Sequence, residues 1–223
     1  MAGMGALVTV SPLPLIRLIA GDWHFNREVR ADNDIRVWNA VDGTSRFVFE
    51  STSDDTRLVY VDYLDKTVAG AYSDRKIRLW DARSGVCKQT IVSDANDMIS
   101  CHLGDGIVIS AHRGNVMKIW TVESGECIRH FDVPGVHFED WDPSDSSSIF
   151  DYIGELLLAT SEFSNIRLFN LDGKFIRGTK SYDAREPTLG IRCLGNKFIA
   201  SEECSVGGPM YLWNIDNPDV VSS

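Results

Sequence analysis

Short apolar runs alternate with polar turns along the whole chain. The runs RLVYVDYL, KTVAGAY and KIRLWDA are examples, and in the last of them the polar Lys76 and Arg78 alternate with the apolar Ile77 and Leu79, a period of two. That period places successive side chains on opposite faces of a strand. The Gly, Asn, Asp and Ser residues between the runs favour turns. Because no run shows helical periodicity, the sequence predicts an all-β protein.

One strand pattern, with apolar, basic, apolar and aromatic positions in order, returns at intervals of about 40 residues. Its copies are IRVWNAVDG from Ile35, KIRLWDARSG from Lys76, MKIWTVESG from Met117, IRLFNLDG from Ile166 and MYLWNID from Met210. A turn follows each copy, and in the first four copies it ends in Gly, which tolerates positive φ. Four short antiparallel strands in each repeat form one blade of a β-propeller.

The repeats define the predicted domain boundaries. We predict one domain over 1–216, with blades at about 6–50, 56–92, 97–131, 148–179 and 188–216, and a tail over 217–223. The fifth repeat offers three strands, and the N-terminal ALVTV is already needed as the first strand of the first repeat. We therefore expect an incomplete or open ring, either part of a larger propeller or completed by association. The alternative is a closed five-bladed ring locked by Leu7–Val10.

The sequence resembles the WD-repeat family over nearly its whole length. The second repeat carries the fullest motif, AGAYSDRKIRLWD, and the others are degenerate. The resemblance implies structural roles for Trp38, Asp74, Trp80, Trp120, Phe169 and Trp213. The Gly-His pair of the family is missing, so we expect no complete His–Ser–Asp–Trp hydrogen-bond network and more reliance on apolar packing. ISCHLGDGIVIS and IRCLGNKFIAS resemble the F-box branch, although no F-box-like helical segment is present.

Composition narrows the partners. The chain has 223 residues, 32 acidic against 22 basic, and a net charge of −10. An acidic surface repels phosphate, so neither nucleic acid nor an anionic membrane is an expected partner. The apolar N-terminus lacks a basic region and is interrupted by Pro12, Pro14 and Arg17, so we predict no signal peptide and no membrane span. An odd number of scattered cysteines favours a reducing compartment, the cytoplasm or the nucleus.

Candidate metal sites are weak. Cys87 and Cys127 occupy equivalent places in different repeats, as do Cys101 and Cys193, so we predict reduced core thiols rather than converging zinc ligands. An acidic, serine-rich segment carries Asp140, Asp142, Asp145 and Asp151, but it lacks the Gly and Glu of a calcium loop. It is interpreted as a solvated loop, in which Ser144 and Ser146–Ser148 could accept phosphate. No metal or cofactor is predicted.

Catalytic motifs are also missing from the sequence. The histidines are spread over three repeats, and no phosphate-binding loop, HExxH or GxSxG pattern occurs. One basic residue per repeated strand is interpreted as structural or solvated, and these residues are Arg36, Arg78, Lys118 and Arg167. We therefore predict that the chain is not an enzyme.

The ends of the second strands carry the candidate binding residues. A small residue in each second strand is followed two positions later by Trp23, Tyr72, His112, Glu162 and Glu203. The geometry of the WD-repeat family places these turns on one face, around the channel. With the neighbours His24, Arg75 and Arg113, they form a predicted partner-binding surface, since exposed aromatics anchor protein interfaces. The alternative is that each ring folds back over its own blade.

These features predict a non-catalytic scaffold or adaptor that binds other proteins on the loop face of a propeller. One alternative is the substrate-recognition module of a ubiquitin ligase complex. Another is a structural subunit that completes a propeller with a second chain, or by self-association, through unpaired blade edges.

Overall fold

The computed structural model describes residues 7–9, 17–21, 34–39, 43–50, 56–134, 150–160, 166–178, 188–194, 197–202, 210–214 and 221–222. For residues 7–9 and 17–21, and for the strands after residue 196, it describes the backbone. No helix occurs among the described residues, and none long and apolar enough to cross a membrane is found there.

Among the residues that the structure describes, twenty strands form five sheets. The first sheet contains β1 (Leu7–Thr9), β2 (Arg17–Gly21), β3 (Ile35–Asn39) and β4 (Ser45–Phe49). The second contains β5 (Leu58–Leu64), β6 (Thr67–Tyr72), β7 (Lys76–Asp81) and β8 (Cys87–Val92). The third contains β9 (Met98–Leu103), β10 (Ile107–His112), β11 (Val116–Thr121) and β12 (Cys127–Asp132).

The last two sheets follow the same plan. The fourth contains β13 (Phe150–Ile153), β14 (Leu156–Thr160), β15 (Ile166–Asn170) and β16 (Phe175–Gly178). The fifth contains β17 (Thr188–Leu194), β18 (Lys197–Glu202), β19 (Met210–Asn214) and β20 (Val221–Ser222). In every sheet the strands are hydrogen-bonded in chain order. The prediction of an all-β fold built from five repeats of four antiparallel strands is confirmed.

The fifth sheet corrects one expectation. The sequence offers three strands there, but β20 supplies a fourth, with Leu212 opposite Ser222 and Trp213 opposite Val221. Two residues suffice for this pairing, although a run so short gives no periodicity in the sequence. The predicted tail over 217–223 therefore contributes to the last sheet.

The repeated aromatic residue sits at the same irregularity in three sheets. The register of the third strand against the fourth shifts between Val37 and Trp38, between Leu79 and Trp80, and between Leu168 and Phe169. A bulge of this kind twists a strand and re-aims the side chain beside it. Trp80 is thereby directed into the core, where it is 6% exposed, and Phe169 is fully buried.

The chain divides into two compact units. The first is built mainly on Met1–His112 and Ile119–Ile128, and the second mainly on Arg113–Lys118, Arg129–Trp141 and Ser147–Ser223. In the first unit, apolar side chains of the inner strands pack into two clusters, and Phe49 stacks on Trp80 with ring centroids 4.9 Å apart. In the second unit, Leu158, Ile166, Leu168 and Ile191 form the described core.

Candidate functional site

The predicted binding residues with rings, at the ends of the second strands, are buried where the structure describes their side chains. Tyr72 and His112, at the ends of β6 and β10, are both 0% exposed. The alternative, in which each ring folds back over its own blade, therefore describes these two side chains, and they are not surface anchors. The remaining predicted members Trp23, His24, Glu162 and Glu203 lie outside the described residues.

The Tyr72 ring contacts two side chains of its own repeat. The Arg78 guanidinium lies 4.6 Å from the Tyr72 ring centroid, and Trp80 meets the same ring edge-on. Gly70 makes this possible, because a Cβ there would lie about 3 Å from both rings. Burial raises the pKa of the Tyr72 hydroxyl well above its usual range. That hydroxyl has no hydrogen-bond partner among the described residues.

Asp74 organises the turn that follows β6. Its carboxylate accepts from the Arg78 guanidinium at 2.7 Å and from the Lys76 backbone N–H at 3.2 Å. Lys76 also brings its ammonium within 3.2 Å. Partial burial alone would raise the pKa of Asp74, but the hydrogen bonds from Arg78 and Lys76 outweigh it and hold the pKa below its usual value. The buried Arg78 is thus paired.

The third repeat contains a hydrogen-bonded chain that the sequence analysis did not predict. Trp120 Nε1 donates to Ser110 Oγ at 2.9 Å, and Ser110 Oγ lies 2.8 Å from His112 Nε2. His112 Nδ1 lies 3.1 Å from the Asn96 carbonyl oxygen. Since a carbonyl only accepts, Nδ1 carries the proton and Ser110 donates to Nε2. The histidine comes from the end of β10 rather than from a Gly-His pair.

This hydrogen-bonded chain contains no Asp, but it shows that the third repeat does not lean on apolar packing as much as we expect from the missing Gly-His pair. Gly70 of the second repeat is equivalent to Ser110 of the third, and Tyr72 is equivalent to His112. The Ser-x-His spacing within a strand, with Trp ten residues after the serine, was the available signal. The spacing of a small residue and a ring two positions later predicts a partner-binding surface around the channel. These residues are instead the internal supports of the repeated tryptophan.

The turns after the second strands are fixed by backbone bonds. Arg75 has φ of 61°, its N–H donates to the Tyr72 carbonyl, and its own carbonyl accepts from the Ser93 N–H at 2.9 Å. In the next repeat Asn115 has φ of 63°, and its carbonyl accepts from Val133. The Arg75 side chain is exposed, and that of Arg113 is half-buried.

The other structural candidates occupy mixed positions. Trp120 is 4% exposed, Trp38 is half-buried, and Trp213 is described only by its place in β19. Of the basic residues in the repeated strand, Lys118 is buried, and Arg167 donates to the Pro134 carbonyl at 2.9 Å. These basic residues serve packing and hydrogen bonding within the sheets.

Two aspartates join the first strands of successive repeats. Asp62 of β5 accepts from the Leu103 N–H of β9 at 2.8 Å, and its carboxylate lies 3.6 Å from His102 Nδ1. Asp151 of β13 accepts from the Cys193 N–H of β17 at 2.7 Å. Asp151 therefore belongs to a strand and not to a calcium-type loop; Asp140, Asp142 and Asp145 lie outside the described residues.

Two of the cysteines are not core thiols. Cys87 and Cys127 are exposed at the start of the outer strands, where the side chains face solvent. Cys101 is buried, and burial raises the pKa of its thiol well above the usual value. Within the described residues, no group of three or more His, Cys, Asp or Glu side chains could hold a metal ion.

No family model matches the chain. It is 29% identical over 110 residues to Autophagy-related protein 16 of Arabidopsis thaliana, covering 47% of this chain and 22% of that protein. It is 29% identical over 97 residues to Protein tipD of Dictyostelium discoideum, covering 43% and 16%. It is 31% identical over 81 residues to Nuclear distribution protein nudF of Aspergillus niger, covering 34% and 18%. The match thus spans less than a quarter of each relative.

Solved structures agree on the fold. KlHsv2 with loop 6CD replaced by a Gly-Ser linker aligns with a TM-score of 0.61 at 15% identity, over 92% of this chain and 60% of that one. The computationally designed Ika8 protein aligns with a TM-score of 0.59 at 13% identity, over 93% and 57%. The curated relatives are WD-repeat proteins, so the comparisons support the WD-repeat family for this chain and do not support its F-box branch.

Proposed function

We propose that this chain is a non-catalytic scaffold or adaptor that binds other proteins through the turns after its second strands. The similarity of the chain to WD-repeat proteins supports this class of function. The sheets beneath the turns are held by buried side chains, including the Asp74–Arg78 pair and the Ser110 hydrogen bonds. Binding residues are commonly carried by loops on such a rigid support. The reducing compartments predicted from the cysteines, the cytoplasm or the nucleus, suit this role.

One observation carries the proposal, the conformation of Arg75. An exposed arginine occupies a left-handed backbone position that favours Gly or Asn, and the next repeat has Asn115 there. A strained backbone at an exposed side chain is a feature that function can retain. We therefore place Arg75 at the centre of the binding surface. Arg113 follows His112 in the equivalent turn of the third repeat and is a second, separate candidate for partner binding.

The test is affinity purification with the variant Arg75→Asn, which copies the neighbouring repeat. We expect the variant to be as stable as the wild type or more stable, because Asn tolerates this backbone better, and to lose bound partners. Lys174→Gln is the matched control, since Lys174 is also exposed, lies away from the turns after the second strands, and the change also removes one charge. A variant that keeps every partner, or a control that loses the same ones, would contradict the proposal.

A second candidate role is the completion of a propeller by another chain. The outer strands β4, β8, β12 and β16 each have one strand neighbour within their sheets. Val92 of β8 is 64% exposed, and an edge with exposed apolar residues can pair with a second chain. Sedimentation velocity on the isolated chain tests this role, and a monomer at all concentrations would count against self-association. The role in a ubiquitin ligase complex rests only on the amino-acid sequences of the third and fifth repeats.

A further inference from the structure

A basic patch lies at the far end of β7 from Arg75. It comprises Arg46 and Val48 of β4 together with Arg83, Val86 and Lys88 around the turn between β7 and β8. We call these five residues the basic turn patch. The Arg46 guanidinium lies 3.5 Å from the Arg83 carbonyl oxygen, so the two segments meet at one surface.

The Phe47 ring holds the Arg46 side chain in place. The Arg46 guanidinium lies 5.4 Å from the Phe47 ring centroid. Phe47 packs in turn against Gly85, where an added Cβ would lie 2.7 Å from the ring. The guanidinium is therefore held between an aromatic ring and a carbonyl, which reduces the entropy lost when it binds an anion.

The two arginines keep their charge available. Within the described part of the chain, Arg46 and Arg83 form no ion pair with a carboxylate, whereas Lys88 lies 2.9 Å from Asp81. The hydrogen bonds from Lys88, Ser84 and Arg83 hold the pKa of Asp81 well below its usual range. Two such guanidiniums stand out in a chain with a net charge of −10. Beside them Val48 is 40% exposed and Val86 59% exposed.

The next repeat has the same turn with the opposite charge. Glu123 and Glu126 replace Arg83 and Val86, and Gln89 donates to the Glu123 carbonyl at 3.3 Å. Gly125 lies under Gln89 as Gly85 lies under Phe47. The same turn, with the same backbone hydrogen bond from its Gly, therefore forms with carboxylates in place of the positive charge.

From these observations we propose that the basic turn patch docks an acidic segment of a partner protein. Carboxylates of the segment bind Arg46 and Arg83, and an apolar side chain between them covers Val48 and Val86. Charge-assisted hydrogen bonds from guanidinium to carboxylate suit this contact. The patch is separate from the Arg75 turn, so the two surfaces can be tested independently.

Fluorescence anisotropy on the whole chain tests the proposal. The probe is a fluorescein-labelled Glu-rich peptide with a central pair of Val residues, and its control has Gln in place of Glu. We expect the Glu peptide to bind and the Gln peptide not to bind. The affinity for the Glu peptide should fall as the salt concentration is raised. The double change Arg46→Gln and Arg83→Glu should weaken that binding about tenfold or more. The single change Arg83→Glu, which copies Glu123, serves if the double variant does not fold.

The matched control is the pair Arg57→Gln and Lys174→Glu, which makes the same change of net charge at exposed positions elsewhere. It should leave peptide binding within about twofold of the wild type. Equal binding of the Gln peptide, or an equal loss in the control pair, would overturn the proposal. It would also be overturned if the peptide bound the Arg83→Glu variant as tightly as the wild type.

Discussion

Gly70 and Ser110 occupy one position in two neighbouring repeats and support the same tryptophan in different ways. Gly70 leaves room for Tyr72 to meet Trp80 through ring packing. Ser110 instead bonds the indole N–H of Trp120 and the His112 ring. A hydroxyl in this place is favourable only when both of its partners are present, because a buried polar group without a partner is costly.

Ser110→Ala should lower the free energy of unfolding by about 2–4 kcal/mol, since it leaves the Trp120 N–H and His112 Nε2 buried without their partner. Urea denaturation measures this loss. The control is Ser84→Ala in an exposed turn, which should cost less than about 0.5 kcal/mol. Equal effects of the two changes would show that the buried chain is unimportant for stability.

Gly70→Ala tests the close packing of the second repeat. The new Cβ would lie 2.6 Å from Ile35 Cδ1 and 3.0 Å from the Tyr72 ring, so side chains must shift. We expect a loss of about 1–3 kcal/mol in thermal or urea unfolding. At Gly178 the nearest atom to an added Cβ lies at 3.4 Å, and Gly178→Ala should be nearly neutral. A neutral Gly70→Ala would contradict the packing described for Tyr72.

Asp74 gives a pH prediction. Its pKa in the folded chain is below the ordinary 3.8, so the carboxylate stabilises the fold fully above that pH. The contribution is lost as the pH falls below 3.8 and through the lower folded value. Asp74→Asn should therefore cost about 1–3 kcal/mol at neutral pH, because it removes the charged partner of the buried Arg78. The difference from the wild type should shrink in acid, and a difference of constant size would contradict the assignment.

At the scale of elements, the first strands are joined by carboxylates rather than by sheet hydrogen bonds. Asp62 and Asp151 each bond a backbone N–H of the first strand in the following repeat. The two acceptors hold equivalent places in their sheets, opposite Ala69 and Leu158 of the second strands. The corresponding places in the third and fifth repeats, opposite Ile109 and Ile199, hold His102 and Arg192. The bond therefore recurs in the second and fourth repeats.

Hydrogen exchange tests the importance of this bond. Asp62→Ala should speed exchange of the Leu103 amide and lower stability by about 1–3 kcal/mol, because that N–H loses its acceptor. Asp62→Asn keeps an acceptor oxygen and should retain most of the protection. If the Ala and Asn variants exchange at the same rate, the bond does not hold β9 to β5.

At the scale of the whole molecule, the sequence predicted what depends on periodicity. The recurrence from IRVWN to MYLWN located the third strand of all five sheets, since each copy carries the same alternation. The pairing of β20 escaped because two residues carry no period. The burial of Tyr72 and His112 and the exposure of Cys87 escaped for another reason. The direction of a side chain at a strand end depends on its neighbours across the sheet, and spacing along the chain does not reveal them.

The aspartate bonds of the second and fourth repeats have a consequence for lengthening or shortening this chain. Asp62 and Asp151 are two repeats apart, so the interval over which the pattern returns is two sheets. Any repeat supplies a backbone amide for these carboxylates, but the residue at the place of the aspartate differs and is His102 in the third repeat. A designer who copied the second repeat alone would put an aspartate where His102 lies beside Asp62, and the two carboxylates would repel each other. Copying the second and third repeats together keeps the imidazole next to the carboxylate, so the smallest unit that can be copied without this repulsion is a pair of sheets.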